Sequence, residues 1–153
     1  EREFHYFAIL LLVKHKKNWQ AGDISLFEKL LVTNSWWDSV DYINGSVLGD
    51  YFLKFPELMQ PRTDAWSANE NIWLKRSSII FQLKYRNKTD LDLLTRHIEQ
   101  NATSKEFFVQ KAISWALREY SKTNPLWVEN YVNTHELKPL SRREALKRID
   151  KSR

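Results

Sequence analysis

The chain has 153 residues, 42% of them apolar, enough for one domain with a sizeable core. Three glycines and four prolines are too few for a many-turned all-β fold, and the absence of cysteine removes disulfides, thiolate zinc sites, cysteine-ligated iron–sulfur clusters and cysteine nucleophiles. The formal charge of +5 favours an anionic partner, although a lysine excess also serves a plain solvated surface.

In chain order, helical periodicity runs over 1–17, 23–33, 36–54, 70–86, 89–100, 104–121, 125–135 and 141–150, so an all-α fold is expected. The first segment opens with Glu1-Arg2-Glu3-Phe4 already in phase, with no initiator Met and no capping residue. The expectation is therefore one domain over 1–153, truncated at its N-terminus. The apolar run Phe7 to Val13 is far short of the roughly 20 residues of a membrane span, and no signal-peptide pattern precedes it. A soluble, membrane-free protein of a reducing, bacterial-type cytosol is the corresponding expectation. Asn18, Asn34, Asn87, Asn101 and Asn124 each follow a periodic segment and suit left-handed helix ends, while Asp23, Thr89 and Ser104 suit N-caps.

The segment 36–54 carries Trp36, Val40, Ile43 and Val47 as its buried stripe. Trp37 is turned about 100° from Trp36 and shares a face with Asp41 one turn later. An indole then lies beside a carboxylate, unless Trp37 fills an inter-helix contact and Asp41 is a solvated or salt-bridged acid. Aligning Trp73-Leu-Lys-Arg-Ser-Ser with Phe108-Val-Gln-Lys-Ala-Ile gives an offset of 35, and the same step back from Arg76 reaches Asp41. One further step reaches Phe4-His5-Tyr6-Phe7-Ala8, so a helical hairpin of HEAT-like length recurs four times. In a solenoid of such hairpins Asp41, Arg76 and Lys111 are equivalent and share one concave groove.

Arg76 lies among Ile72, Ile79 and Leu83, a place where a guanidinium needs a specific anionic partner. Asp41 of the neighbouring repeat and a phosphate both qualify. In 104–121, Phe108, Ala112, Ile113, Ala116 and Tyr120 supply the core, and Lys111, Trp115, Arg118 and Lys122 form a second stripe. A tryptophan within a basic face suits phosphates around a base or sugar, and equally a ring sheltered by lysine stems. The tail Lys138, Arg142, Arg143, Lys147, Arg148, Lys151 and Arg153 supports a terminal helix with a basic outer surface, as Lys14-His15-Lys16-Lys17 does near the start. No Gly-rich phosphate loop, His-Glu-x-x-His pattern, Gly-x-Ser-x-Gly elbow or Gly-rich hairpin occurs. His5, His15, His97 and His135 lack ligand spacing and are expected to be structural or surface residues.

Four segments together resemble the AlkD-like DNA alkylation repair family. They are Asn34-Ser35-Trp36-Trp37-Asp38-Ser39-Val40-Asp41, Ile72-Trp73-Leu74-Lys75-Arg76-Ser77, Phe107-Phe108-Val109-Gln110-Lys111-Ala112-Ile113-Ser114-Trp115 and Leu140-Ser141-Arg142-Arg143-Glu144-Ala145-Leu146-Lys147. The resemblance implies an α-α superhelix of HEAT-like repeats and about two further hairpins' worth of N-terminal chain. It places the family's tryptophan–aspartate pair on Trp37 and Asp41, its groove arginine on Arg76 and its second tryptophan on Trp115, with Lys75-Arg76 where two arginines are common.

The implied activity is that of a monofunctional DNA glycosylase in base excision repair. Such an enzyme removes cationic 3-methyladenine and 7-methylguanine from double-stranded DNA, without metal or cofactor. Asp41, Trp37 and Trp115 are the expected catalytic residues; Lys75, Arg76, Lys84, Lys111, Arg118, Arg142 and Arg143 are the expected DNA-binding residues. A nucleoid-associated monomer is expected. The alternatives are a HEAT-like scaffold that binds protein in its groove and a DNA-binding relative that does not cut.

Overall fold

The computed structural model describes residues 2–152. Glu1 and Arg153, which open the first predicted segment and close the basic tail, lie outside them. Helices α1 (Arg2–Lys14), α3 (Trp37–Ile43), α6 (Ile72–Ile80) and α8 (Phe107–Tyr120) begin a constant 35 residues apart, the predicted repeat. Each first helix is followed by a second: α2 (Ile24–Val32), α5 (Pro56–Ala68), α7 (Leu91–Asn101) and α9 (Pro125–Thr134). α3 continues through one π turn, Asn44–Leu48, into α4 (Gly49–Lys54), and α10 (Pro139–Lys151) closes the array. The first helices pack in succession, α1 on α3, α3 on α6, α6 on α8 and α8 on α10. The result is the expected all-α superhelix, with no strand among the described residues. No described helix is long and apolar enough to cross a membrane.

Apolar stripes of adjacent hairpins merge into two core clusters, one around Ile9, Phe27, Val40, Tyr51 and Phe52, the other around Ile79, Ile98, Ile113, Leu117 and Val128. Between hairpins, buried polar groups find partners about one repeat away. Asn44 Nδ2 donates to Ser77 Oγ at 2.8 Å, and Asn101 Nδ2 donates to Ser67 Oγ at 2.9 Å. His97, fully buried, places one ring nitrogen 2.8 Å from Asp64 Oδ1 of the preceding hairpin and the other 2.9 Å from Ser78 O of its own. A buried polar atom without a partner is destabilising, so these pairs hold neighbouring hairpins in one register.

The structure corrects four expectations. Helix α5 was not predicted: Pro56 sits at its first position, Pro61 lies within it, and the face it buries is Thr63, Trp66 and Ser67 rather than an apolar stripe. Its buried polar atoms are bonded, Thr63 Oγ1 to Met59 O at 2.7 Å and Trp66 Nε1 to Glu28 Oε1 at 2.8 Å. Trp36 was assigned to the core with Val40, Ile43 and Val47; those three are fully buried, whereas Trp36 is 46% exposed, because it stands in extended backbone just before α3. Of the five asparagines only Asn34 is left-handed, and Arg86 rather than Asn87 takes the other positive φ. Finally, Asn124 caps the start of α9, Asp90 and not Thr89 caps α7, Glu106 rather than Ser104 precedes α8, and Asp23 stands at the N-cap of α2 as expected but turns its side chain back to accept from Gln20 N at 2.8 Å.

Candidate active site

Local geometry at the start of α3 aims the predicted pair. Trp36 is extended (φ −140°, ψ 163°), Ser39 Oγ accepts from Trp36 N at 3.3 Å, and Asp38 Oδ1 accepts from Ser39 N at 2.7 Å. The next turn therefore presents Trp37 and Asp41 on one face. On α6, Asn71 Oδ1 accepts from Trp73 N and Leu74 N and starts the helix that carries Arg76. On α8, Lys111, Trp115 and Arg118 follow one stripe.

These side chains converge on a cavity of about 440 Å³ between α3, α6 and α8. Trp37, Asp41, Arg76, Phe107, Phe108, Lys111, Ser114, Trp115 and Arg118 line it. Trp37 is 45% exposed, and Trp115 is half-buried. Asp41 keeps 16% of its side-chain surface accessible.

Arg76 is only 4% exposed and does not wait for a phosphate. Its Nε donates to Asp41 Oδ1 at 2.8 Å, its Nη2 to Asp41 Oδ2 at 2.9 Å and its Nη1 to Phe108 O at 2.7 Å. Its Cζ lies 5.7 Å from the centre of the Trp115 ring. The guanidinium thus holds the carboxylate in one plane and leaves its outer edge facing the cavity, a geometry that the planar fork of arginine supports and lysine cannot reproduce. Of the two partners that the sequence left open for Arg76, Asp41 is the one it engages in this structure.

The remaining basic residues divide. Lys111 and Arg118 flank Trp115 on the cavity wall, and Lys75 is half-buried on α6. Lys84 lies outside the cavity; its Nζ donates to Gly45 O at 2.5 Å in the π turn. Arg142 is engaged at the end of α9, with Nη1 on Val132 O at 2.5 Å and Nη2 on Asn133 Oδ1 at 2.7 Å. Lys122 pairs with Glu119 at 2.9 Å, beyond the cavity. Arg143 points outward with 73% of its side chain exposed.

Two features escaped sequence reasoning. One is an aromatic wall in which Trp36, Trp73 and Phe108 pack with ring centres 5.1–6.0 Å apart and Phe107 stands 56% exposed beside them. The equivalence of Trp73 and Phe108 one repeat apart was the available signal. The other is Glu144, an acid within the basic tail, which accepts from Arg118 Nη1 at 3.3 Å. Among the described residues no group of three or more His, Cys, Asp or Glu is arranged to hold a metal ion.

The fold is thus an all-α superhelical array of hairpins whose groove brings Asp41, Trp37, Trp115, Lys111 and Arg118 onto one cavity. The family model of DNA alkylation repair enzymes matches residues 1–149, and the chain belongs to that family. A solved structure described as a predicted DNA alkylation repair enzyme from Enterococcus faecalis is 36% identical with a TM-score of 0.89, over 96% of this chain and 68% of that one. No curated protein matches. Family membership implies DNA as the partner.

Proposed function

We propose that the protein is a monofunctional DNA N-glycosylase that hydrolyses the bond between deoxyribose and a cationic alkylated purine, 3-methyladenine or 7-methylguanine, in double-stranded DNA. The observation that carries this reading is the Asp41 carboxylate, held by Arg76 between Trp37 and Trp115 and open to a cavity of about 440 Å³.

Alkylation at N3 of adenine or N7 of guanine already makes the base cationic. When the glycosidic bond breaks, its electron pair neutralises the base, so no general acid is needed. Positive charge then grows on the sugar, and water adds to C1′ and loses a proton. One carboxylate serves both the charge and the water, where most glycoside hydrolysis uses two. The bidentate Arg76 contact matters here because it orients the carboxylate before reaction, so little reorganisation accompanies charge development. Trp37 and Trp115 offer indole faces to a cationic base or sugar, worth on the order of 0.5–2 kcal/mol each. Lys111 and Arg118 suit flanking phosphates and fix the register of the strand. The open groove favours a lesion held at the surface over one flipped into a closed pocket.

The test is release of free base from a methylated duplex, wild type against Asp41→Asn. The variant is expected to bind DNA as wild type does and to release no 7-methylguanine. Asparagine turns one N–H toward Arg76, so both proteins are compared at a temperature where the variant is fully folded. Release at the wild-type rate from the variant refutes the role of Asp41, and no release from wild type refutes the glycosylase reading.

A further inference from the structure

Glu144 is the acid that the mechanism above does not use. It sits on α10 where that helix packs against α8, with 14% of its side chain exposed. Four cations surround its carboxylate: Arg118 Nη1 at 3.3 Å, Lys111 Nζ and Arg143 Nε at 3.8 Å, and Lys147 Nζ at 3.9 Å. Lys111 and Arg118 also line the Asp41 cavity on either side of Trp115, whereas Glu144 does not reach it. Both are about one-third exposed, long and flexible, and without an anchor they sample many rotamers.

We propose that Glu144 is a positioning residue that sets Arg118 and Lys111 at the cavity mouth to receive the phosphates flanking the damaged nucleotide, and that it weakens their grip on undamaged backbone. This rests on the glycosylase reading. One carboxylate among four cations leaves an excess of three positive charges, so the groove still attracts DNA. A phosphate approaching Arg118 must compete with the carboxylate that already holds it. Binding is therefore weaker than four free cations would give, but the cations that bind are aligned with Asp41.

Removing the carboxylate should move two observables in opposite directions. In Glu144→Gln, the affinity for an undamaged duplex rises at low salt, and the slope of log K against log salt steepens by up to about 0.9, the release expected for one added phosphate contact. Release of 7-methylguanine in a single turnover at saturating protein slows about tenfold or more, as for other misplaced positioning groups. Glu144→Asp, charged but shorter, is expected to keep the wild-type salt slope and lose rate. A residue that only braces α10 against α8 would lower the melting temperature of both variants and leave the salt slope unchanged. That result, or wild-type rates in both variants, overturns the proposal. Should wild type release no base, the glycosylase reading fails, and the salt slope of Glu144→Gln alone decides the effect on binding.

Discussion

Replacing Arg76 by methionine separates a carboxylate clamp from a phosphate ligand. The substitution keeps volume and apolar stem but removes both bonds to Asp41, the bond to Phe108 O and the contact over Trp115. Breaking a buried ion pair by deleting one partner costs about 3–5 kcal/mol, and the 16% exposure that Asp41 retains toward the cavity puts the expected loss near the lower end, about 3 kcal/mol. In a domain of this size each kcal/mol shifts the melting temperature by about 2–4 °C, so a fall of roughly 6–12 °C is expected in a thermal unfolding curve. A double-mutant cycle with Asp41→Asn should return a coupling of about 1–3 kcal/mol, as for residues in direct contact. The salt dependence of DNA binding should be unchanged. If Arg76 instead gripped a phosphate, the variant would keep its melting temperature and lose about one unit of salt slope. That pair of results would refute the clamp.

Three further outcomes follow from the packing. Trp37→Ala, at a side chain 45% exposed, should slow excision while moving the melting temperature by less than about 2 °C, whereas Trp115→Ala should slow excision and also destabilise by roughly 1–3 kcal/mol, because that ring is half-buried under Arg76. At Asp64, burial raises the carboxyl pKa but hydrogen bonds from His97 and Arg96 outweigh it and hold the group below its ordinary 3.8. Its stabilisation is thus complete above that value and lost as pH falls through the lower folded value; melting curves should show Asp64→Asn below wild type near neutrality, with the gap closing as the pH falls below 3.8. Gly49→Ala places a methyl 3.1 Å from the backbone oxygen of Phe81, so the usual gain of about 1 kcal/mol for alanine in a helix should reverse into a loss of melting temperature.

Much of the candidate site was legible because its determinants are local. Helical spacing alone puts Trp37 beside Asp41 and sets Trp115 between Lys111 and Arg118, and the structure finds all five on one cavity. The 35-residue step is likewise a property of the chain, and it made positions 41, 76 and 111 equivalent before any packing was known. Helix α5 was illegible for the opposite reason. Two prolines interrupt its pattern, and its buried face is polar, so only its contacts with α6 and α7 reveal why Thr63 and Trp66 lie inside.

Sequence by itself determined the fold class, the repeat length and which residues share a helix face, since these depend on neighbours within a few turns. Tertiary structure alone decided the rest: Asp41 as the partner of Arg76, Trp36 packed on Trp73 and Phe108 at the surface instead of in the core, and Glu144 beside Lys111 and Arg118. Each of those outcomes is a contact between groups about 25 to 70 residues apart. Which groups meet depends on how one hairpin is tilted and shifted against the next, and no local pattern in the chain encodes that.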